Sequence, residues 1–208
     1  MRRLTLALAA VLVLAVATEA SAQWFVDAYL GAAITSDSKL EFTAFNEEQR
    51  QNVIGRSSPS FGVRVGRWLD DLQIPFLGVA FDVSYFRPTI NVQTVPLSLL
   101  VMARYGFLKD EEVPDGRLQP YVGLGPGFFF SKLDGVIGSQ EAHETSKNIG
   151  LDTRVGLAYR FDTTWAGFAE YRFTHVTPSW NVDIFAGKAD ASTTFNTHHF
   201  LLGVSYRF

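Results

Sequence analysis

From residue 24 onward, apolar side chains recur at every second position, the period of an extended chain whose successive side chains point to opposite faces. In Trp24 to Ile34 the even positions Trp24, Val26, Ala28, Leu30, Ala32 and Ile34 are apolar, with Phe25, Asp27, Tyr29 and Gly31 between them. Phe61 to Trp68 sets Val63 and Val65 against Gly62, Arg64 and Gly66. Phe76 to Phe86 sets Leu77, Val79, Phe81, Val83 and Tyr85 against Gly78, Ala80, Asp82 and Ser84. In Val95 to Phe107, Val95, Leu97, Leu99, Val101 and Tyr105 oppose Pro96, Ser98, Leu100, Met102 and Arg104. Leu118 to Phe130 alternates Val122, Leu124 and Phe128 with Gly123, Gly125 and Gly127. Ile149 to Phe161, Trp165 to Val176 and His198 to Phe208 complete a series of eight candidate strands.

The connectors alternate in length, and that carries topology. Thr35 to Ser58, Ser131 to Lys147 and Thr177 to Asn196 are long and polar and read as loops. Leu69 to Ile74, Leu108 to Arg117 with its Pro114-Asp115-Gly116 turn, and Asp162 to Thr164 are tight. Arg87 to Thr94 breaks the rhythm, short where a long connector is due. Hairpins with long loops at one end and tight turns at the other predict an all-β, eight-stranded antiparallel up-and-down barrel. No Pro-, Gly- or Ser-rich linker interrupts residues 23 to 208, which read as one domain.

Alternation does not say which face is inside. Two observations choose. The face opposite the apolar one carries Gly62, Gly66, Gly78, Gly123, Gly125, Gly127, Gly150, Gly156 and Gly203, poor cover against water but suited to a narrow filled interior. All five lysines (Lys39, Lys109, Lys132, Lys147, Lys188) fall in connectors, while Arg64, Arg104, Arg154, Arg160, Arg172 and Arg207 lie within strands. A guanidinium fork can bridge several carboxylates in a confined space, so this split fits an interior ion-pair network. Trp24, Tyr85, Tyr105, Tyr159, Trp165, Tyr171, Phe173 and Tyr206 fall mostly near strand ends, as the girdles of a membrane barrel do. The apolar face is therefore expected to meet lipid, and the barrel to be transmembrane.

Ahead of the strands, Met1-Arg2-Arg3, an apolar or small run from Leu4 to Ala17 and Ala20-Ser21-Ala22 read as a signal peptide over residues 1 to 22. That run of about 14 residues is too short for a spanning helix, which needs about 20. Removing Arg2, Arg3 and Glu19 takes 18 basic and 21 acidic residues to 16 and 20, a formal charge of −4. The count of 0 Cys excludes disulfides, thiolate metal sites and a Cys nucleophile.

Tyr121-Val122-Gly123-Leu124-Gly125-Pro126-Gly127, Ala169-Glu170-Tyr171-Arg172-Phe173-Thr174 and Leu202-Gly203-Val204-Ser205-Tyr206-Arg207-Phe208 resemble the OmpA-like outer-membrane β-barrel superfamily over about residues 23 to 208. The resemblance implies a structural or surface-interaction barrel in the Gram-negative outer membrane, or a narrow gated pore. It also implies outer-membrane lipid and lipopolysaccharide as surroundings, and the barrel assembly machinery with periplasmic chaperones as partners in biogenesis. Phe208 stands where the family carries its assembly signal. A second, peptidoglycan-binding domain like that of full-length OmpA is not expected, so the resemblance does not imply tethering to the cell wall. A monomer without cofactor or nucleic-acid partner is expected.

A lumen network of Asp27, Arg64, Asp82, Arg104, Asp152, Arg154, Glu170, Arg172 and Arg207 is expected, either as a plug or as a gate whose ion pairs switch partners. For the hairpin of the sixth and seventh candidate strands, the register expected is Arg154 opposite Glu170 and Asp152 opposite Arg172. A slip of two would oppose Arg154 to Arg172, and like charges directly opposed are unfavourable. Asp27 is expected to meet Arg207 where the first strand closes on the last, and Asp82 to neighbour Arg64. His175-Val176-Thr177 resembles the His-x-Ser pair of lipid A deacylases, the competing enzymatic reading, with Thr177 for Ser and no third group beyond Asp183 and Asp190 nearby. No catalytic residue and no metal site is expected. His198 and His199 point to opposite faces, and His175 with His198 makes only two ligands. Asp37, Glu41, Glu47, Glu48, Glu141 and Glu144 read as solvated acidic surface.

Overall fold

A computed structural model describes residues 24–44, 47–137, 140–184 and 187–208. The expected signal peptide lies outside them. Strands β1 (Trp24–Thr35), β4 (Ser57–Leu69), β5 (Ile74–Thr89), β6 (Val92–Arg104), β7 (Leu118–Ile137), β8 (Gln140–Arg160), β9 (Trp165–Val176) and β12 (Phe195–Arg207) close into an antiparallel barrel. They match the eight expected strands, except that β6 ends at Arg104, short of the expected Phe107, and β8 and β12 end one residue early, at Arg160 and Arg207. Strand β12 pairs with β1 from Phe25↔Arg207 to Thr35↔Thr197, so no edge is left open. Trp24 and Phe208 exchange two backbone hydrogen bonds of 3.0 Å and fasten the seam at the tight-turn end.

Two of the connectors expected to be loops are themselves strands. From Thr35 to Ser58 the chain forms β2 (Ser38–Ala44) and β3 (Glu47–Val53), and from Thr177 to Asn196 it forms β10 (Ser179–Ile184) and β11 (Gly187–Thr193). The third connector, Ser131 to Lys147, simply continues β7 and β8. Strands β10, β11, β2 and β3 join in one four-stranded sheet, with Thr193↔Leu40 to Asp190↔Thr43 linking the two hairpins. Period two is faint here because the polar run Glu47-Glu48-Gln49-Arg50-Gln51-Asn52 has no apolar face to bury. What creates the sheet is barrel closure, which sets the two hairpins side by side above adjacent strands. A membrane strand needs about 9–11 residues. Strands β7 and β8, at 20 and 21, therefore stand well clear of the bilayer.

The wall is apolar outside. Leu30, Val63, Leu99, Val101, Val122, Ile149, Val155, Leu202 and Val204 are all more than half exposed, a band that water would not tolerate but hydrocarbon requires. At the tight-turn end Tyr105–Phe107, Tyr159–Phe161, Trp165–Tyr206 and Tyr206–Phe208 form successive ring contacts with centroids 4.8 to 5.9 Å apart. That row is an aromatic girdle at the membrane surface.

Inside, glycine and aromatic residues are matched across the ladder. Phe25 lies opposite Gly66, Tyr29 opposite Gly62, Trp68 opposite Gly78, Tyr121 opposite Gly156 and Phe168 opposite Gly203. A Cβ built on any of these glycines would fall on the facing ring. Each ring thus lies flat over the bare backbone of its neighbour, which packs an interior too narrow for two side chains at one level. The rings and Ala80, Leu100, Met102, Ala158 and Leu201 fill the lower lumen, while Phe86, Phe129, Val176, Trp180 and Phe195 fill the top.

The tight turns are set by local chemistry. Gly116 takes φ 96° in the turn before β7, a conformation costly for other residues. Asp162 Oδ1 accepts the amides of Thr164 (2.6 Å) and Trp165 (2.7 Å), which holds its carboxyl below the usual range. Because the folded value is depressed, this contribution is present above the unfolded value of about 3.9 and is lost as pH falls through the lower folded value. Amide-exchange protection of Thr164 and Trp165 should therefore drop selectively below pH of about 4, with strand amides unaffected. Gly156→Val should overpack the lumen against Tyr121 and cost about 1–3 kcal/mol in a denaturant titration of the refolded barrel.

Candidate functional site

Between the two aromatic fillings lies a charged layer contributed by five strands. Arg154 on β8 donates to Asp152 through Nε (2.9 Å) and Nη2 (2.7 Å), and through Nη1 to Asp82 on β5 (2.7 Å). Arg172 on β9 donates to Ser84 (3.0 Å) and lies 3.5 Å from Asp82 and 3.4 Å from Glu170. Arg64 on β4 bridges Asp27 on β1 (2.7 Å) and Glu170 (2.6 Å). Tyr29 gives its hydroxyl to Asp82, Tyr121 gives its own to Glu170, and Ser98 donates to Asp152, each at 2.7 or 2.8 Å. The Arg172 guanidinium lies 4.8 Å from the centre of the Tyr29 ring, and that of Arg64 lies 5.3 Å from Phe168, so rings that fill space also receive charge. Parity brings these residues inward, and closure brings them together: all seven ionic groups are buried.

The register of β8 on β9 differs from expectation. Arg154 pairs directly with Arg172, and Gly156, not Arg154, faces Glu170. The expectation weighed only the two strands. In the closed barrel, Asp82 reaches both arginines from the opposite wall, Asp152 and Glu170 flank them from positions two residues away, and Glu170 lies 3.5 Å from Arg154. Three carboxylates around two guanidiniums outweigh the repulsion of the pair.

Two further expectations are corrected. Asp27 lies opposite Ser205 and binds Arg64, while Arg207 lies opposite Phe25 and donates to Gln119 across the lumen (2.8 Å). Arg64 and Asp82 do neighbour each other, as expected, as direct partners on β4 and β5, and Arg64 donates to Asp27 and Glu170. Arg104 and Arg207 stand apart from the charged layer, at the tight-turn mouth, where Arg104 contacts Asp70 (3.4 Å), Pro75 O (3.2 Å) and the face of Trp68 (4.2 Å). The lumen aromatics escaped the sequence reading because it sorted strands by their apolar face. The readable signal was a glycine on one strand at the inward parity of a ring on the next.

The histidines split as expected. His199 is inward and fully buried, sharing hydrogen bonds of 3.2 Å with Ser60 and with Thr174. His198 is outward and meets the Tyr171 hydroxyl at 2.7 Å. His175 and Thr177 both face outward but do not engage each other. His175 bonds Asn196 (2.6 Å) and Thr177 bonds Thr194 (3.0 Å). Among the described residues no three His, Cys, Asp or Glu side chains converge to hold a metal ion. Asp37 accepts the amide of Gly55 (2.8 Å), and Glu41, Glu47, Glu48, Glu141, Glu144, Asp183 and Asp190 fall outside the described side chains.

The model of the outer membrane protein beta-barrel domain family matches residues 6–208. The chain belongs to that family. It is accordingly an integral outer-membrane barrel, and its apolar band is the lipid contact. Its fold is similar to Neisserial surface protein A, at 14% identity and TM-score 0.55 over 89% of this chain and 97% of that one. It is also similar to outer membrane protein AlkL, solved in DMPC lipid bilayers, at 15% identity and TM-score 0.57 over 92% of this chain and 94% of that one. No curated protein matches the sequence. Since Glu170 touches three arginines of this outer-membrane barrel, Glu170→Ala should leave buried charge unpaired and cost about 3–5 kcal/mol in urea unfolding of the refolded protein.

Proposed function

We propose that the chain is exported by its leader and serves as a closed outer-membrane barrel that displays the β10-β11-β2-β3 sheet for surface interaction. The observation that carries this reading is the contrast between its two ends. The lumen is occupied by rings and ion pairs along its length, whereas both hairpins beside the β1–β12 seam are built into one ordered platform beyond the membrane. The β2–β11 pairing joins the two hairpins into a single sheet, which offers a partner a continuous surface of paired backbone. Biogenesis through the barrel assembly machinery fits a terminal Phe208 whose backbone closes the seam. Lipopolysaccharide and outer-membrane lipid surround a single copy in this reading.

The pore reading has one observation in its favour, the sharing of Glu170 among Arg64, Arg154 and Arg172, which would let pairs exchange. The hydrolase reading finds no support in the geometry, since the His175 and Thr177 side chains are bonded to Asn196 and Thr194. One comparison separates plug from pore and tests the platform. Cells expressing the chain should adhere to a basement-membrane extract above vector control, and should lose adhesion when residues 38–53 and 179–193 are replaced by short turns. Wild type and Glu170→Ala should both be silent in planar bilayers. Discrete conductance steps that change in Glu170→Ala would establish a gate in place of the plug.

A further inference from the structure

Where the platform meets the barrel rim, the two hairpins leave a cavity of about 770 Å³ between them. It opens where β2 begins (Asp37, Ser38, Lys39), where β3 ends (Asn52, Ile54) and where β11 closes (Ser192). That volume falls within the roughly 300–1,000 Å³ of small-ligand sites.

The frame of the cavity is fixed in advance. Thr193 is buried and donates its hydroxyl to Lys39 O (3.2 Å), so its 2.7 Å contact with Ser38 Oγ uses the Ser38 proton. Ser38 Oγ is thereby left as an acceptor. Asp37 Oδ1 takes the Gly55 amide (2.8 Å), Thr177 and Thr194 hold one another (3.0 Å), and the Ser36 amide donates to Asn196 O (3.0 Å). These bonds tie both hairpins to the rim, so a ligand meets a surface already ordered and the entropic cost of binding falls.

The groups left over define the ligand. Among the described residues no hydrogen bond engages the Asn52 amide or the Ser192 hydroxyl. With Ser38 they interleave donors and acceptors around the cavity, and its one acid, Asp37, and one base, Lys39, cancel in charge. A phosphate or sulfate would call for several cations, a divalent metal for several carboxylates, and an acyl chain for an apolar lining. A sugar hydroxyl donates and accepts in turn, which is what this lining answers. Ile54, 79% exposed beside these groups, is an apolar surface that the C–H face of a pyranose can cover.

We infer that this cavity binds a neutral sugar residue, which rests on the platform reading and gives the platform's partner a chemical class. The sugar belongs either to the core of the lipopolysaccharide around the same barrel or to a glycan on another surface, and both present the same hydroxyl-rich ring.

The test uses the refolded chain in amine-oxide micelles, which carry no sugar, and saturation-transfer difference NMR. The probes are dephosphorylated core oligosaccharide cleaved from lipopolysaccharide and N-acetyllactosamine. At least one should receive saturable transfer. Asn52→Ala and Ser192→Ala should each raise its half-saturating concentration about fivefold, as loss of one hydrogen bond does. Lys109→Ala, at the tight-turn end, should leave it unchanged. Transfer to the core oligosaccharide alone makes the surrounding lipopolysaccharide the source, and transfer to N-acetyllactosamine alone makes it a glycan on another surface. Transfer to neither, or equal affinity in wild type and both cavity variants, overturns the site. Adhesion to the basement-membrane extract is read separately: if it persists in wild type while both probes fail, the sugar site falls and the platform reading stands. The two cavity variants lie on different strands, so failure of one to refold leaves the other decisive.

Discussion

Every backbone amide and carbonyl that crosses hydrocarbon has to find its partner within the chain, and for strands only closure provides it. The eleven-pair seam between β1 and β12 is therefore the constraint from which the rest follows. Closure at eight strands leaves an interior just wide enough for side chains. Alternation then sends every second residue into that space. Once the seam is made, the outward face has to be apolar and the inward face has to fit, and the two demands fall on alternate residues of the same strands.

Filling the interior is done with two kinds of complementarity. Rings lie over glycines on adjacent strands, so bulk on one strand is matched by absence on the next. Charges are matched across the bore, where Asp82 on β5 reaches β8 and β9. The second kind explains why Arg154 and Arg172 can face each other. Two like charges are tolerable when the carboxylates that neutralise them come from other walls, and a bore this narrow puts those walls within hydrogen-bonding reach. A buried ionic layer is not a large source of net stability, because desolvation offsets much of the attraction. Its effect is on uniqueness: a slip of β8 on β9 would break the charge cage.

The two ends of the barrel differ for related reasons. At the tight-turn end the chain reverses in a few residues, held by the Asp162 cap and the left-handed Gly116. At the other end the chain is free of lipid, and strands continue past the bilayer because their neighbours are already paired. The four-stranded sheet exists only because β1 and β12 are adjacent, which sets the hairpin after β1 beside the hairpin before β12.

Local chemistry alone determined the eight barrel strands, the orientation of their faces and the inward placement of every arginine of the charged layer. Each depends on a period of two within one segment, which the order of residues carries directly. The tertiary structure decided the β8–β9 register, the partner of Asp27, the separation of Arg104 and Arg207 from the central network, and the sheet made from apparent loops. All four depend on which strand stands opposite which across the closed bore. A reading of single hairpins sees two walls of an eight-walled tube, and the missing six supplied the carboxylates and the neighbours that settled these arrangements.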